Sequence, residues 1–419
     1  MLSKVNKFIK SNIFRYVVGD FLSVGISFLV STFILVKLGT DDLGKFVFYF
    51  LLVGLFSSLA QGAANSFLMK YFYVEDFKEI ISSVNITMFF FSFLSFIVYL
   101  VVYQYINTVL VNILIIFAVL KAFNSTPFVV FRLKDLSFYY MVFSVFYRIG
   151  WVIILPFMFL LNKFDVYNLI LLMFVWEILS FICLYFYLYR FGFKLKINIG
   201  LIKRNILLSL NLFPHKVLKT VSENIDKYAV KFFLGDSALG IYSMIFKITS
   251  IIYMFIKSLN NELAVILSKI SSKKVSEIEF NKKENKLILS IFLVNILTFL
   301  TAYIYNGWIY NLGNNFYTLY FVLICFMNLQ FFYFIFYNYL FLKSHKIVYN
   351  IMMFNNVVFF SLLFFIKKNL IIIVYVYVLS YFLIVGLLSF FIDEEFLKKQ
   401  KICFFILFFI FIIGGIYVF

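Results

Sequence analysis

Pro214–Lys247 reads PHKVLKTVSENIDKYAVKFFLGDSALGIYSMIFK, and the reading of its charged opening decides the fold. On a helical wheel of about 100° per residue, Lys216, Lys219, Thr220, Glu223, Asp226, Lys227 and Lys231 share one arc of roughly 140°. Val217, Leu218, Val221, Ile225, Tyr228, Ala229 and Phe232 fill the opposite arc. Charges held within hydrocarbon are costly and turn toward a polar interior, so a spanning helix of this kind carries function. The other reading is a helix lying on the membrane surface, its lysines on headgroups. A turn, LGDSALG, follows at once and a further apolar helix returns, which favours a span.

That turn has an earlier twin. Residues 38–46 read LGTDDLGKF and residues 234–242 read LGDSALGIY. Leu38, Gly39, Leu43 and Gly44 match Leu234, Gly235, Leu239 and Gly240 at a constant offset of 196, which also pairs Asn65 with Asn261 and Asp20 with Lys216. Both copies sit between a first and a second apolar run, the arrangement of a duplicated bundle. The glycines suit a chain that must leave one helix and turn sharply into the next.

The chain of 419 residues is 64% hydrophobic and only 13% charged. Soluble domains carry about twice that share of charge, so this is a polytopic all-α membrane protein. Runs long enough to cross about 30 Å of hydrocarbon fall at 13–36, 46–69, 80–102, 109–130, 138–161, 166–189, 207–233, 239–262, 287–304, 316–341, 348–366, 370–392 and 402–419. The fold expected is therefore an all-α bundle of 12–14 transmembrane helices. The longest basic connection, Arg190–Arg204, divides a lobe over residues 1–204 from one over 205–392, leaving 393–419 as a linker and an extra hydrophobic helix.

Charge asymmetry orients this threading. With the N-terminus in the cytoplasm, the inner connections carry 23 of the 37 Lys and Arg residues and the outer ones 5, as the positive-inside rule requires. The formal charge of +18 is thus mostly topology, and no nucleic-acid partner is read from it. The basic start Met1–Lys10 runs into a span too long for a secretory signal, so it reads as a retained first helix. Cys183, Cys325 and Cys403 have no paired spacing, and His215 and His345 stand far apart in sequence. No metal site, cofactor or catalytic nucleophile is expected from them. A Walker A motif is absent from the sequence, which argues against direct ATP hydrolysis.

The chemistry available is the set of polar groups within spans. Gln61 and Asn65 lie in the second span, and Arg15 near the start of the first can snorkel to the inner face. Lys121, Arg148 and Glu177 lie about ten residues, or about 15 Å, from a span end, too deep for that. Candidate substrate-binding cations are Lys121, Arg148, Lys216, Lys219, Lys227, Lys231 and Lys247; candidate ion-coupling carboxylates are Asp20, Glu177, Glu223 and Asp226. Glu223 stands at i±4 from Lys219 and Lys227, where ion pairs form on a helix. Cations outnumber carboxylates, a balance suited to an anionic group such as a phosphate or pyrophosphate.

The paired LG-x3-LG turns (Leu38–Gly44 and Leu234–Gly240), the FFLGDSALGIYS run, Asn65 and the two-bundle plan resemble the polysaccharide-flippase branch of the multidrug/oligosaccharidyl-lipid/polysaccharide exporter superfamily. Within it they resemble Wzx-type O-antigen and capsule repeat-unit flippases. The resemblance implies that these 12–14 helices form two six-helix lobes in a V around a central cationic cavity, in the bacterial inner membrane. It also implies flipping of a polyprenyl-pyrophosphate-linked oligosaccharide to the outer leaflet by alternating access, with no enzyme chemistry. Its implied partners are that lipid-linked substrate, membrane lipids, a polysaccharide polymerase and a chain-length regulator. A small-molecule exporter of the same superfamily is the alternative. A membrane-embedded polymerase or acyltransferase fits less well, because the outer loops are short and nearly free of Lys and Arg.

Overall fold

The structure is a computed structural model that describes residues 12–103, 109–134, 136–160, 165–271, 314–343, 350–362 apart from 352, 356 and 360, 369–391, and 398–416. The expected span at 287–304 and His345 lie outside these residues. So do the side chains of Arg15, Asp20, His215 and Asn261, whose backbone is helical.

Every element of the described chain is a helix. In order come α1 (Asn12–Gln61), α2 (Ala64–Tyr71), α3 (Phe77–Tyr103), α4 (Val109–Leu133), α5 (Ser137–Leu160), α6 (Val166–Arg190), α7 (Ile199–Ser222), α8 (Ile225–Ser271), α9 (Asn314–Lys343), α10 (Leu370–Phe390) and α11 (Lys398–Ile416). Among the described residues seven helices are long and apolar enough to cross a membrane: Lys37–Gln61, Phe77–Leu100, Asn112–Leu133, Ser137–Ile154, Val166–Arg190, Ile225–Lys247 and Leu370–Phe390. The fold class is therefore an all-α polytopic membrane protein.

The chain divides into two compact units, one ending at Asn224 and the other beginning at Ile225. The basic connection at Arg190–Arg204 is not where they part, because α7 packs with the first unit, against α3 and α1. Nor is the expected span 207–233 one helix. It ends at Ser222, where the N–H of Glu223 bonds the Lys219 carbonyl and the Asn224 side chain donates to the Thr220 carbonyl at 3.1 Å. Those bonds satisfy carbonyls that a helix end would otherwise leave bare. A new helix starts at Ile225, so the wheel drawn across Lys216–Lys231 is interrupted in the middle.

The first unit is built around α1, which packs against α5, α4 and α3. Lipid tails are as apolar as leucine, so helices in a membrane associate through close packing and hydrogen bonds rather than through exclusion of water. Both are present. At one end Phe67, Leu68, Ile80, Val84, Met88, Val130, Leu188 and Leu201 form a buried cluster. Deeper in, Pro127 removes the N–H that would bond the Phe123 carbonyl, and the Tyr185 hydroxyl donates to that carbonyl at 3.4 Å. In the second unit α9 packs against α8, α10 and α11, with Phe326, Tyr377 and Tyr381 in mutual ring contact.

Both LG turns adopt one conformation. Gly39 lies at φ 74, ψ 172 and Gly235 at φ 88, ψ −170, a region that essentially only glycine occupies. Each turn is followed by a leucine driven inside, Leu43 and Leu239.

The basic end of the first unit is tied together. Asp76 caps α3, accepting from the N–H groups of Lys78 and Glu79. Lys196 reaches Glu79 at 2.6 Å and Asp76 at 3.9 Å, and Arg204 reaches Glu75 at 3.0 Å. Asn198 caps α7 and donates to Glu79 at 2.7 Å. The backbone amide of Lys78 holds the Asp76 carboxyl below its ordinary range. The hydrogen bond to Glu79 raises the Lys196 ammonium above its own.

Candidate functional site

Three of the eleven expected site residues share one cavity. Lys121 of α4, Arg148 of α5 and Glu177 of α6 line it with Phe50, Phe117, Tyr147, Ile154, Met173 and Trp176. Its volume is about 50 Å³. One water needs roughly 10–15 Å³ on this measure, whereas small-molecule sites run to about 300–1,000 Å³. The cavity takes a few waters or a small ion and excludes a sugar or a drug.

Glu177 is the buried carboxyl group here, 4% exposed. Tyr147 shares its hydroxyl proton between the two carboxylate oxygens, at 2.7 and 2.8 Å, and Asn124 Nδ2 donates to Oε1 at 2.7 Å. Lys121 and Arg148 make no ion pair with it. The Lys121 ammonium sits 5.7 Å from the Phe50 ring centroid, and the Arg148 guanidinium 5.7 Å from that of Tyr147. A carboxylate held by neutral donors, with two cations on the same walls, is poised to gain or lose a positive partner. Trp176, on the cavity wall, packs directly on Gly150. A Cβ there would fall 2.0 Å from Trp176 Nε1, which donates to the Tyr147 carbonyl at 3.3 Å.

Lys216 is held elsewhere in the first unit. Its ammonium bonds Gln61 Oε1, while Gln61 Nε2 and Asn65 Nδ2 both donate to Ser125 Oγ, at 2.6 and 2.8 Å. Ser58 and Thr220 share a hydroxyl bond of 2.8 Å beside them. Lys219 and Glu223, at 4.0 Å, form the i,i+4 pair expected from spacing. Both are well exposed at the end of α7.

In the second unit Asp226 is fully buried, with Tyr242 donating to its Oδ2 and no partner to Oδ1 among the described residues. Lys231 pairs with Asp236 across the Gly235 turn. The Lys227 ammonium lies 4.2 Å from the Phe246 ring centroid, and Lys247 is half-buried.

Sequence reasoning missed Asn124, Tyr147, Trp176 and Ser125. Asn124 and Ser125 stand in the run NSTP within an apolar span, a polar signal that was there to be read. Tyr147 and Trp176 gave none, in a chain 23% aromatic.

No protein-family model and no curated protein matches the chain. Solved structures do match it. A MATE in complex with MaL6 aligns with TM-score 0.61 at 12% identity, over 90% of this chain and 93% of that one. The inward-facing conformation of a multidrug resistance MATE family transporter of the MOP superfamily aligns with TM-score 0.61 at 11% identity, over 88% and 92%. A MOP superfamily transporter from Pyrococcus furiosus, reported with a binding pocket of reverse polarity that suggests a different function, aligns with TM-score 0.53 at 12% identity, over 90% and 95%. At such identities the likeness is one of architecture, and the architecture of this chain is the MATE fold of the MOP superfamily transporters.

Proposed function

We propose that this protein is a secondary exporter of a small amphipathic molecule, working by alternating access and coupled to an ion gradient through Glu177. The observation that carries the reading is a buried carboxylate in a cavity too small for a substrate, within a MATE fold. A proton or small cation fits that space, and its arrival or departure changes the charge beside Lys121 and Arg148. Asp226, buried on Tyr242, is the corresponding carboxylate of the second unit. Asp20 belongs to the same proposal.

A second reading is favoured by the surplus of cations. Lys121, Arg148, Lys216, Lys219, Lys227, Lys231 and Lys247 outnumber the buried carboxylates, and transporters of this fold differ in pocket polarity. On that reading the cargo is a polyprenyl-pyrophosphate-linked oligosaccharide flipped outward across a bacterial inner membrane, with a polymerase and a chain-length regulator downstream.

Reconstituted vesicles separate the two. An exporter of small molecules accumulates a fluorescent amphiphile when a proton or sodium gradient is imposed, and a flippase exposes a labelled pyrophosphate-linked sugar lipid to an external enzyme. For either cargo, Glu177→Gln should abolish gradient-driven transport while leaving substrate counterflow above about half of the parent rate. Gly150→Ala, whose Cβ would displace Trp176 on the cavity wall, should have the same signature. Gradient-driven transport that survives in both variants would remove Glu177 from the coupling step.

A further inference from the structure

The outer face of the first unit carries a groove that the transport reading does not use. On α3, Ile86, Phe89, Phe90 and Phe93 follow the i, i+3, i+4, i+7 stripe of one helix face. With Ser92 and Ile206 of α7 they line an apolar groove of about 480 Å³. Phe89 and Phe93 are 73% and 65% exposed. The volume lies within the range of small-ligand sites, but such sites fix their ligands with convergent polar groups. Here the one polar group, the Ser92 hydroxyl, is already bonded to the Met88 carbonyl at 2.7 Å. Nothing orients a polar solute, whereas a hydrocarbon chain needs only rings to lie against.

A charge stands on the same face of α7 as Ile206. On α7, Ile199, Lys203, Ile206 and Leu210 fall within an arc of about 60°. Lys203 is exposed, about 4.5 Å of helix rise from Ile206 toward the basic end. The neighbouring cations are neutralised, Lys196 by Glu79 and Asp76 and Arg204 by Glu75. Lys203 makes no ion pair among the described residues. Its position matches a lipid phosphate at the interface, with the start of α7 adding the positive end of a helix dipole.

We propose that this groove binds one anionic phospholipid of the surrounding membrane, its acyl chain on Phe89 and Phe93 and its phosphate at Lys203. The occupant is independent of the transported substrate, so the proposal stands or falls apart from the transport reading. It gives the bilayer's lipid composition a hold on the contact between α3 and α7.

Native mass spectrometry of the full chain in a neutral detergent tests this with phosphatidylglycerol and phosphatidylcholine added at equal concentration. One phosphatidylglycerol should be retained in preference. Lys203→Gln should lower its occupancy about tenfold, as loss of one charged hydrogen bond does, without changing phosphatidylcholine. Phe89→Ser with Phe93→Ser should lower both lipids, and unchanged circular dichroism in each variant shows that the fold is kept. Equal retention of the two lipids, or indifference to both sets of variants, overturns the proposal. So does full displacement by inorganic phosphate alone, which would make Lys203 a simple anion site. A dimer lost in the phenylalanine variant would assign the groove to a second copy of the chain and overturn it equally.

Discussion

The chain makes one turn twice and surrounds it with different chemistry. Gly39 and Gly235 share a backbone conformation at an offset of 196, and Leu43 and Leu239 are buried behind them. At the first turn the charges are peripheral, with Lys45 and Asp42 paired at 3.0 Å in the open. At the second, Lys231 and Asp236 pair across the turn, half-buried, and Asp226 lies wholly inside on Tyr242. Subtracting the offset puts Val30, Leu35, Thr40 and Phe46 where the second copy has Asp226, Lys231, Asp236 and Tyr242. The glycine–leucine frame dictates backbone, and the charges of Asp226, Lys231 and Asp236 are a separate layer with no ionic counterpart at the matching positions of the first copy.

Each unit nonetheless buries a carboxylate against a tyrosine, and the two differ in support. Glu177 has Asn124 as well as Tyr147, while Asp226 depends on Tyr242 alone among the described residues. Tyr242→Phe should therefore destabilise by about 2 kcal/mol, the cost of leaving a buried polar group without its donor. Tyr147→Phe should cost about 0.6 kcal/mol, the mean for hydrogen bonds between membrane helices. Melting of the purified protein reads both, and adding Asp226→Asn to Tyr242→Phe should recover stability. Equal losses at the two tyrosines would break the comparison.

The turns give the next effect in size. Gly39→Ala and Gly235→Ala should each cost about 1–3 kcal/mol, since a side chain is strained at those dihedrals. Because the frame is shared, the two losses should agree. Gly54 supplies the control: it is helical, and a Cβ added there would meet nothing within 4 Å, so Gly54→Ala should gain up to about 1 kcal/mol. Clearly unequal losses at Gly39 and Gly235 would mean that the repeat is one of sequence pattern alone.

Much of this architecture is legible in the sequence, for a physical reason. Apolar runs longer than a bilayer is thick have few ways to fold, and a glycine between two of them marks the place where the chain reverses. Lys121, Arg148 and Glu177 stand out because a charge in the middle of such a run is expensive, and they do share a cavity. The helix break at Glu223–Asn224 was not legible. Asparagine is unremarkable within a helix pattern, and only its side-chain bond to the Thr220 carbonyl shows that it ends one here. Gly150 was equally silent, since its role is to let Trp176 approach, and that depends on a helix remote in sequence.

The smallest effect concerns the basic end of the first unit, for which the charge layer is again separable from the frame. Lys196 ties the connection before α7 to Glu79 and Asp76 of α3. The Asp76 carboxyl is held below its ordinary value by the Lys78 amide, so its contribution is present above about pH 4 and is lost as the pH falls through the lowered value. The Lys196 ammonium is raised by Glu79, so its contribution is full below about pH 10 and is lost as the pH rises through the raised value. The tie should thus hold across the neutral range and loosen at both extremes. These groups are open to solvent, where ion pairs contribute little and salt screens them. Hydrogen exchange at the amides of residues 195–205 is sensitive enough to see it. Exchange, corrected for its intrinsic pH dependence, should be slowest between about pH 5 and 9 and should quicken outside that window. In Lys196→Met the alkaline arm of the window should vanish while the acid arm, which belongs to the Asp76 cap of α3, remains. Retention of the alkaline arm in that variant would show that a group other than Lys196 produces it, and that the ion pair contributes nothing to the connection.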